Sequence, residues 1–452
     1  MTLERFDRLV MGIIAALAVA LGALALIGER VGVPVTDVMP GGGDLAAVTT
    51  GIRIEFGQPV DRASVEAAFS LAPATPGLFE WADDRAVTFM PAQPFAPGQS
   101  IAVALGEGAR SAAGRAIRPL TWTFEPRPPE IAYLAPADAA VRALWVIPAE
   151  GGAPRELFSP AGGIYDFSPA RDGTRIAVTV FNDRGATDIW LVNRDGGGAR
   201  LLIDCAPGLC AAPAWSPDGD LLAYERQSPA PSGGLGPSRV WLYDLRTGET
   251  APVFEDSQVL GFGPRWSLDG SRLAFYDPSI GAIRVLDAVT GGEFRLPNQM
   301  GEVGSFSPDG RAMVYPEIRM VGEQFFPWLM LARLEVDGGI EPLLEQGEED
   351  QWPSWSPDGR WIAFGRRRLD RQGGFTGQLM LLDRETGDLH QVTADPDLNH
   401  TRFMWDPASR RLAFQRFDVT QGAVRPEIWL YDLGTGEMAR VVENGDMAQW
   451  LP

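Results

Sequence analysis

The pentapeptide Trp-Ser-Pro-Asp-Gly occurs twice in this chain, at Trp215–Gly219 and at Trp355–Gly359. A hydroxyl beside a carboxylate is the raw material of a nucleophile with its base, or of two hard ligands to a cation. The same residues also suit a type I turn, with Ser first, Pro presetting φ at the second place, Asp third and Gly fourth. Other reactive groups are sparse. There are 2 histidines, His390 and His400. That excludes a His-rich metal centre and leaves a Ser-His-Asp triad only if one of these two serves it. No G-x-S-x-G, H-E-x-x-H or G-x-x-x-x-G-K-[ST] occurs, so no catalytic residue is assigned and no metal or cofactor is expected. Cys205 and Cys210 enclose Ala-Pro-Gly-Leu. A Pro-Gly turn brings such a pair together, and a disulfide is the favoured reading in an oxidising compartment. A C-x4-C metal site lacks two further ligands, and two unpaired thiols are the remaining alternative.

The elements that position these residues repeat. The pentapeptide recurs in altered form as DFSPARDGTRIAV from Asp166, RWSLDGSRLAF from Arg265, SFSPDGRAMVY from Ser305 and MWDPASRRLAF from Met404. The leading aromatics are Phe167, Trp215, Trp266, Phe306, Trp355 and Trp405, spaced 48, 51, 40, 49 and 50 residues apart. That is the period of a four-stranded propeller blade. Each unit has a second half such as RVWLYDLRTGE or EIWLYDLGTGE, an apolar strand running into an acidic-Gly turn. At the C-terminus AQWLP repeats the aromatic at Trp450, and its continuation stands at Glu130 to Phe158. One blade built from both ends would close the ring and remove its free edges. The expectation is a seven-bladed β-propeller over residues 128–452. A motif repeated around a ring is architecture rather than a single catalytic site.

Two segments precede it. Residues 9–28 run for 20 positions without a charge, long enough at ~1.5 Å per residue to span a hydrocarbon core of about 30 Å. Arg5 and Arg8 precede the run, so residues 1–30 read as a single-pass signal anchor with the bulk of the chain outside the cytoplasm, a signal peptide cleaved near Ala23-Leu24-Ala25 being the alternative. Residues 31–127 alternate apolar residues at Ile52, Ile54 and Phe56, at Ile101, Val103 and Leu105, and at Leu120, Trp122 and Phe124, the pattern of a β-sandwich. Gly 52 and Pro 37 suit an all-β chain with many turns, and a net charge of −20 argues against nucleic acid as a partner.

Two resemblances follow. IRIEFGQPVDRASVEAAFSL, AVTFMPAQPFAPGQSIAVAL and TWTFEP resemble the bacterial Ig-like domain seen in S-layer proteins, which implies a spacer or adhesive module without catalytic residues. The SPDG units resemble the propeller repeats of the TolB family. That resemblance implies the fold but leaves function open, since some related propellers bind metal through several histidines that this chain does not have.

Function is then expected on the rim opposite the SPDG turns, where the repeats stop agreeing. The candidates are the cations Arg366, Arg367, Arg368 and Arg371, the aromatics Phe325, Phe326 and Trp328 on what reads as a long loop, and His400 with Arg402. The expected role is a membrane-anchored scaffold whose propeller face binds a protein, peptide or cell-envelope polymer. The alternative is an extracytoplasmic carbohydrate-active or hydrolytic enzyme.

Overall fold

The computed structural model describes residues 32–230, 233–335, 338–344, 348–367, 376–421 and 425–452. The expected membrane segment, 9–28, lies outside them. Among the described residues no helix is long and apolar enough to cross a membrane. The chain divides between Arg127 and Pro128 into two compact units.

The first unit is a sandwich of two four-stranded sheets. One is ordered Val35–Met39, Ile52–Phe56, Ala86–Pro91, Gly77–Trp81, and the other Leu45–Ala46, Leu120–Pro126, Ile101–Leu105, Phe69–Ala72. Alternation sets the inner faces: Ile52, Ile54 and Phe56 share one core with Ile101, Val103, Leu105 and Phe124. The short helix Arg62–Ala68 buries Val65 in the same core. Asp61 stands at its N-cap position, but its side chain makes no capping bond; Ser64 Oγ instead donates to the Asp61 carbonyl.

The second unit is a propeller-type all-β domain. Its sheets are antiparallel and four strands wide, as in Phe262–Trp266, Arg272–Asp277, Ala282–Asp287, Glu293–Pro297 and in Glu349–Trp355, Trp361–Arg367, Gln378–Asp383, Leu389–Gln391. Two such groups, spanning 164–203 and 209–252, are joined by a single parallel bridge, Thr187 to Leu209. Within each sheet the second strand is apolar on both faces, as at Leu222, Ala223 and Tyr224, because a neighbouring sheet covers each side. Successive cores lie in the seams. Tyr224 and Cys205 share one, Phe275 and Val240 the next, Phe306 and Val285 another, and so on to Trp450 and Ala413. The circuit closes through a composite sheet, Arg155–Phe158, Ala143–Pro148, Glu130–Ala135, Asp446–Leu451. Trp450 packs against the sheet before it, and Leu451 shares a core with Phe167 in the sheet after it.

The conserved look of the SPDG turns has a local cause. In each, the Ser Oγ donates to the Asp carboxylate two residues on and accepts the N–H five residues on, for example Ser356 to Asp358 at 2.5 Å and from Trp361 at 2.8 Å. Ser216, Ser267 and Ser307 do the same. Hydroxyl and carboxylate are consumed by the turn, so neither is free for chemistry. The glycine takes a left-handed φ, 76° at Gly219 and 80° at Gly359. In the deviant turn Asp406-Pro407-Ala408-Ser409 the left-handed position falls on Ser409, with φ 56°, a conformation that costs an L-residue about 1 kcal/mol. Its hydroxyl accepts the Asp358 N–H of the neighbouring sheet at 3.0 Å, a bond of similar net worth, about 1 kcal/mol. Ser409→Gly therefore exchanges one term for the other and should leave urea stability nearly unchanged, whereas Ser409→Ala keeps the strain, loses the bond and should lower it by roughly 1 kcal/mol.

Candidate functional site

The innermost strands of the second unit enclose a lumen. Five of them carry an irregularity shortly before the aromatic, between Ala211 and Ala214, Phe262 and Arg265, Gln351 and Ser354, Thr401 and Met404, and Asp446 and Gln449. The residue three places before the aromatic is left-handed in all five: Ala212, Trp352, Arg402 and Met447 at φ 49°, 55°, 54° and 54°, and Gly263 at 61°. Only one of them is glycine, so the kink is held by partners rather than by permissive sequence. At four of the five a carboxylate accepts the kinked N–H. The Ala212 N–H donates to Asp166 at 2.7 Å, that of Gly263 to Glu225 at 2.8 Å, that of Met447 to Asp446 at 2.7 Å, and that of Trp352 to Glu302. Burial raises Asp166 and Glu225 above the usual carboxylate range.

The kinks aim side chains into a cavity of about 890 Å³ lined by Arg265, Glu302, Gln351, Trp352, Arg402 and Gln449 among others. A smaller space of about 330 Å³, also bordered by Arg265, lies toward the SPDG turns and is walled by Trp215, Trp266, Phe306 and Trp355. Arg265 is open to water and yet ringed by protein, as a residue standing in a lumen must be. Burial lowers its pKa, Glu302 opposes that and Arg402 adds to it. Glu302 is pushed up to about 7, mainly by burial, against the pull of Arg265 and the Trp352 N–H. The site is thus two guanidiniums and a carboxyl that holds its proton near neutrality, a constellation suited to an anion.

The residues singled out from sequence fall in four places. Arg402 lines the lumen. His400, on the same strand, is only 2% exposed; its Nδ1 lies 3.1 Å from the Gly377 carbonyl and 3.4 Å from Thr393 Oγ1. Burial lowers its pKa to about 4, so it is a neutral packing group rather than a charged contact. Arg366 is not a surface cation: it is 7% exposed, donates to both oxygens of Asp350 at 2.8 Å, and lies 3.1 Å from Glu348. Arg367 pairs with Glu349. The register that sets Asp350 opposite Arg366 and Glu349 opposite Arg367 makes the acidic and basic runs one cross-strand ladder. Arg368 and Arg371 lie outside the described residues. Phe325, Phe326 and Trp328 do not stand on a loop. The strands Ala312–Val321 and Gln324–Arg333 pair to the tip through a two-residue Gly322-Glu323 turn. Phe325 is exposed opposite Met320, while Phe326 and Trp328 are half-buried. Cys205 and Cys210 form a disulfide with Cα atoms 5.9 Å apart.

Sequence reasoning missed Arg265 and Glu302. The signal that marks Arg265 is its column: immediately before the aromatic the repeats carry Asp166, Ala214, Arg265, Ser305, Ser354, Met404 and Gln449, a disagreement inside an otherwise uniform motif. Glu302 sits outside the motif and has no such marker.

His400 gives a pH prediction. A group whose folded pKa is depressed contributes stability above its unfolded pKa and loses it as pH falls. The window is from 6.5 to about 4, which corresponds to on the order of 3 kcal/mol. Denaturant melts should show the wild-type advantage over His400→Gln shrinking across that window; a constant difference contradicts the assignment.

Residues 131–376 match the TolB beta propeller domain family, and residues 31–125 match the bacterial Ig-like domain. An uncharacterized protein of Agrobacterium fabrum is 33% identical over 185 residues, 39% of this chain and 54% of that protein, so the match spans about half the relative's length. A puromycin-hydrolyzing peptidase of Mycobacterium tuberculosis is similar in fold, with a TM-score of 0.52 and 13% identity over 89% of this chain and 57% of that one. TolB from Acinetobacter baumannii aligns over 85% of this chain and 83% of its own, with 15% identity and a TM-score of 0.43.

Proposed function

The chain belongs to the TolB β-propeller family, and on that premise we propose that it is an extracytoplasmic binding protein that takes its partner at the mouth of the propeller lumen. In this reading residues 9–28 anchor it in the membrane, the Ig-like unit carries the propeller away from the surface, and seven four-stranded blades form the binding head. The partner is a protein, a peptide or a cell-envelope polymer. The observation that supports the reading most is the lumen itself: about 890 Å³ on a closed scaffold, with charged side chains not consumed by internal hydrogen bonds. A cavity of this size with a few convergent polar groups is the ordinary form of a binding site. The acidic chain disfavours nucleic acid.

A photo-cross-linking residue tests the placement. At Met300, which lines the lumen, it should capture a discrete partner from the native cell envelope. At Val289, which is 84% exposed on an Asx turn of the same sheet as Arg265, it should not. Equal capture at both positions argues against the lumen. Turnover of a peptide or glycan panel by the purified chain, lost on substitution of Glu302, would place it with the hydrolytic or carbohydrate-active enzymes instead.

A further inference from the structure

Most arginines of the second unit have a carboxylate in contact. Arg284 bonds Asp277 and Glu293, Arg411 bonds Glu150 and Asp432, and Arg416 bonds Glu427. Arg265 and Arg402 do not. Among the described residues neither guanidinium has a hydrogen bond or an ion pair, although the two are close enough for Arg402 to disfavour the charge on Arg265. Two like charges facing one lumen repel, and less water screens them there than on a surface. Burial raises Glu302, the carboxyl that faces Arg265, to about 7, so near neutrality it offsets this charge only in part. An anion in the lumen would offset the remaining repulsion.

We propose that Arg265 and Arg402 together hold a single carboxylate, that of a peptide chain end inserted into the lumen. The assignment rests on the binding reading above and deepens it. Three observations select the ligand. The chain carries a net charge of −20, which repels a polyanion approaching from solution but weighs little against one charge. Guanidinium forks suit the planar oxygens of a carboxylate. Beside the arginines the wall is apolar, with Pro264, Trp352, Pro353 and Met447 offering contacts for side chains.

The lumen is also braced across its turn-side mouth. The turn after Pro169 is longer than its counterparts by Ala170 and Arg171. Arg171 reaches past the intervening sheet, and its guanidinium donates to the Leu268 carbonyl, bracing the turn-side mouth. A chain end entering from the opposite mouth reaches the arginines without passing that brace.

The test uses the full chain and two pools of random N-acetylated hexapeptides that differ only at the C-terminus, free acid or amide. Calorimetry should show the acid pool binding at least tenfold more tightly. Arg265→Gln and Arg402→Gln should each remove most of that preference, and the double variant all of it. Neither arginine makes an internal ion pair, so the variants should melt as wild type does, which separates lost binding from lost folding. Equal affinity for acid and amide overturns the proposal, as does a preference that survives in the double variant. Inorganic phosphate binding more tightly than the acid pool overturns it too and assigns the arginines to phosphate. Envelope cross-links at Met300 that persist in the double variant, with acid and amide bound alike, would leave the binding reading standing while the carboxylate assignment falls.

Discussion

The second unit depends on how each innermost strand is bonded to the sheet before it. Two hydrogen bonds recur in that seam. In three of the five repeat tryptophans the indole N–H donates backward to a backbone carbonyl, Trp215 to Ser168, Trp405 to Ser354 and Trp450 to Met404, at 2.9–3.0 Å, whereas Trp355 bonds Gly359 in its own turn and the Trp266 N–H has no partner among the described residues. A few residues earlier a strained N–H donates to a buried carboxylate, supplied by the preceding sheet at Asp166 and Glu225. An unmade bond in such a seam costs the desolvation of the stranded group, about 1–3 kcal/mol. Phenylalanine at Phe167 and Phe306 fills the same space without the donor. Trp215, Trp405 and Trp450 therefore do more than pack: each ties its strand to the sheet before it.

From that constraint the lumen follows. Left-handed residues in the innermost strands turn consecutive side chains toward the axis, so what would be a wall of strand becomes a rim of Gln351, Arg402 and Gln449 around Arg265. Asp166 and Glu225, which hold two of the kinks, lie behind that rim, and burial raises their pKa values. Glu302 belongs to both systems, accepting the Trp352 N–H on one side and facing Arg265 on the other. Structural and ligand-facing electrostatics thus meet at one residue.

Much of this was legible in the sequence. The spacing of Phe167 through Trp405 gave the sheets, and Trp450 with Glu130 gave the composite one, because turn chemistry and an aromatic column are local signals. The Cys205–Cys210 bridge was legible for the same reason. Cross-strand register was not. The acidic run at 345–350 was a visible counter-charge for the arginines, but the specific pairing of Arg366 with Asp350, 16 residues away in sequence, shows only in the ladder. The Phe325 segment looked like a loop because its alternation is weak, but a Gly322-Glu323 turn lets both strands pair to the tip. Arg265 and Glu302 stand 37 residues apart and meet only when the sheet between them folds so that its first strand and the connection to the next share the lumen, which the motif alone does not reveal.

The central claim is that the seams form one closed circuit, with residues Asp446–Leu451 as its last link. Hydrogen exchange on a chain ending at Gly445 measures this directly. A closed circuit predicts lost protection at Ile131 to Leu134, which pair with the missing strand, and also at Leu412 to Phe414 and Phe167 on the flanking sheets. Loss confined to Glu130–Ala135, with the flanking sheets still protected, would contradict it.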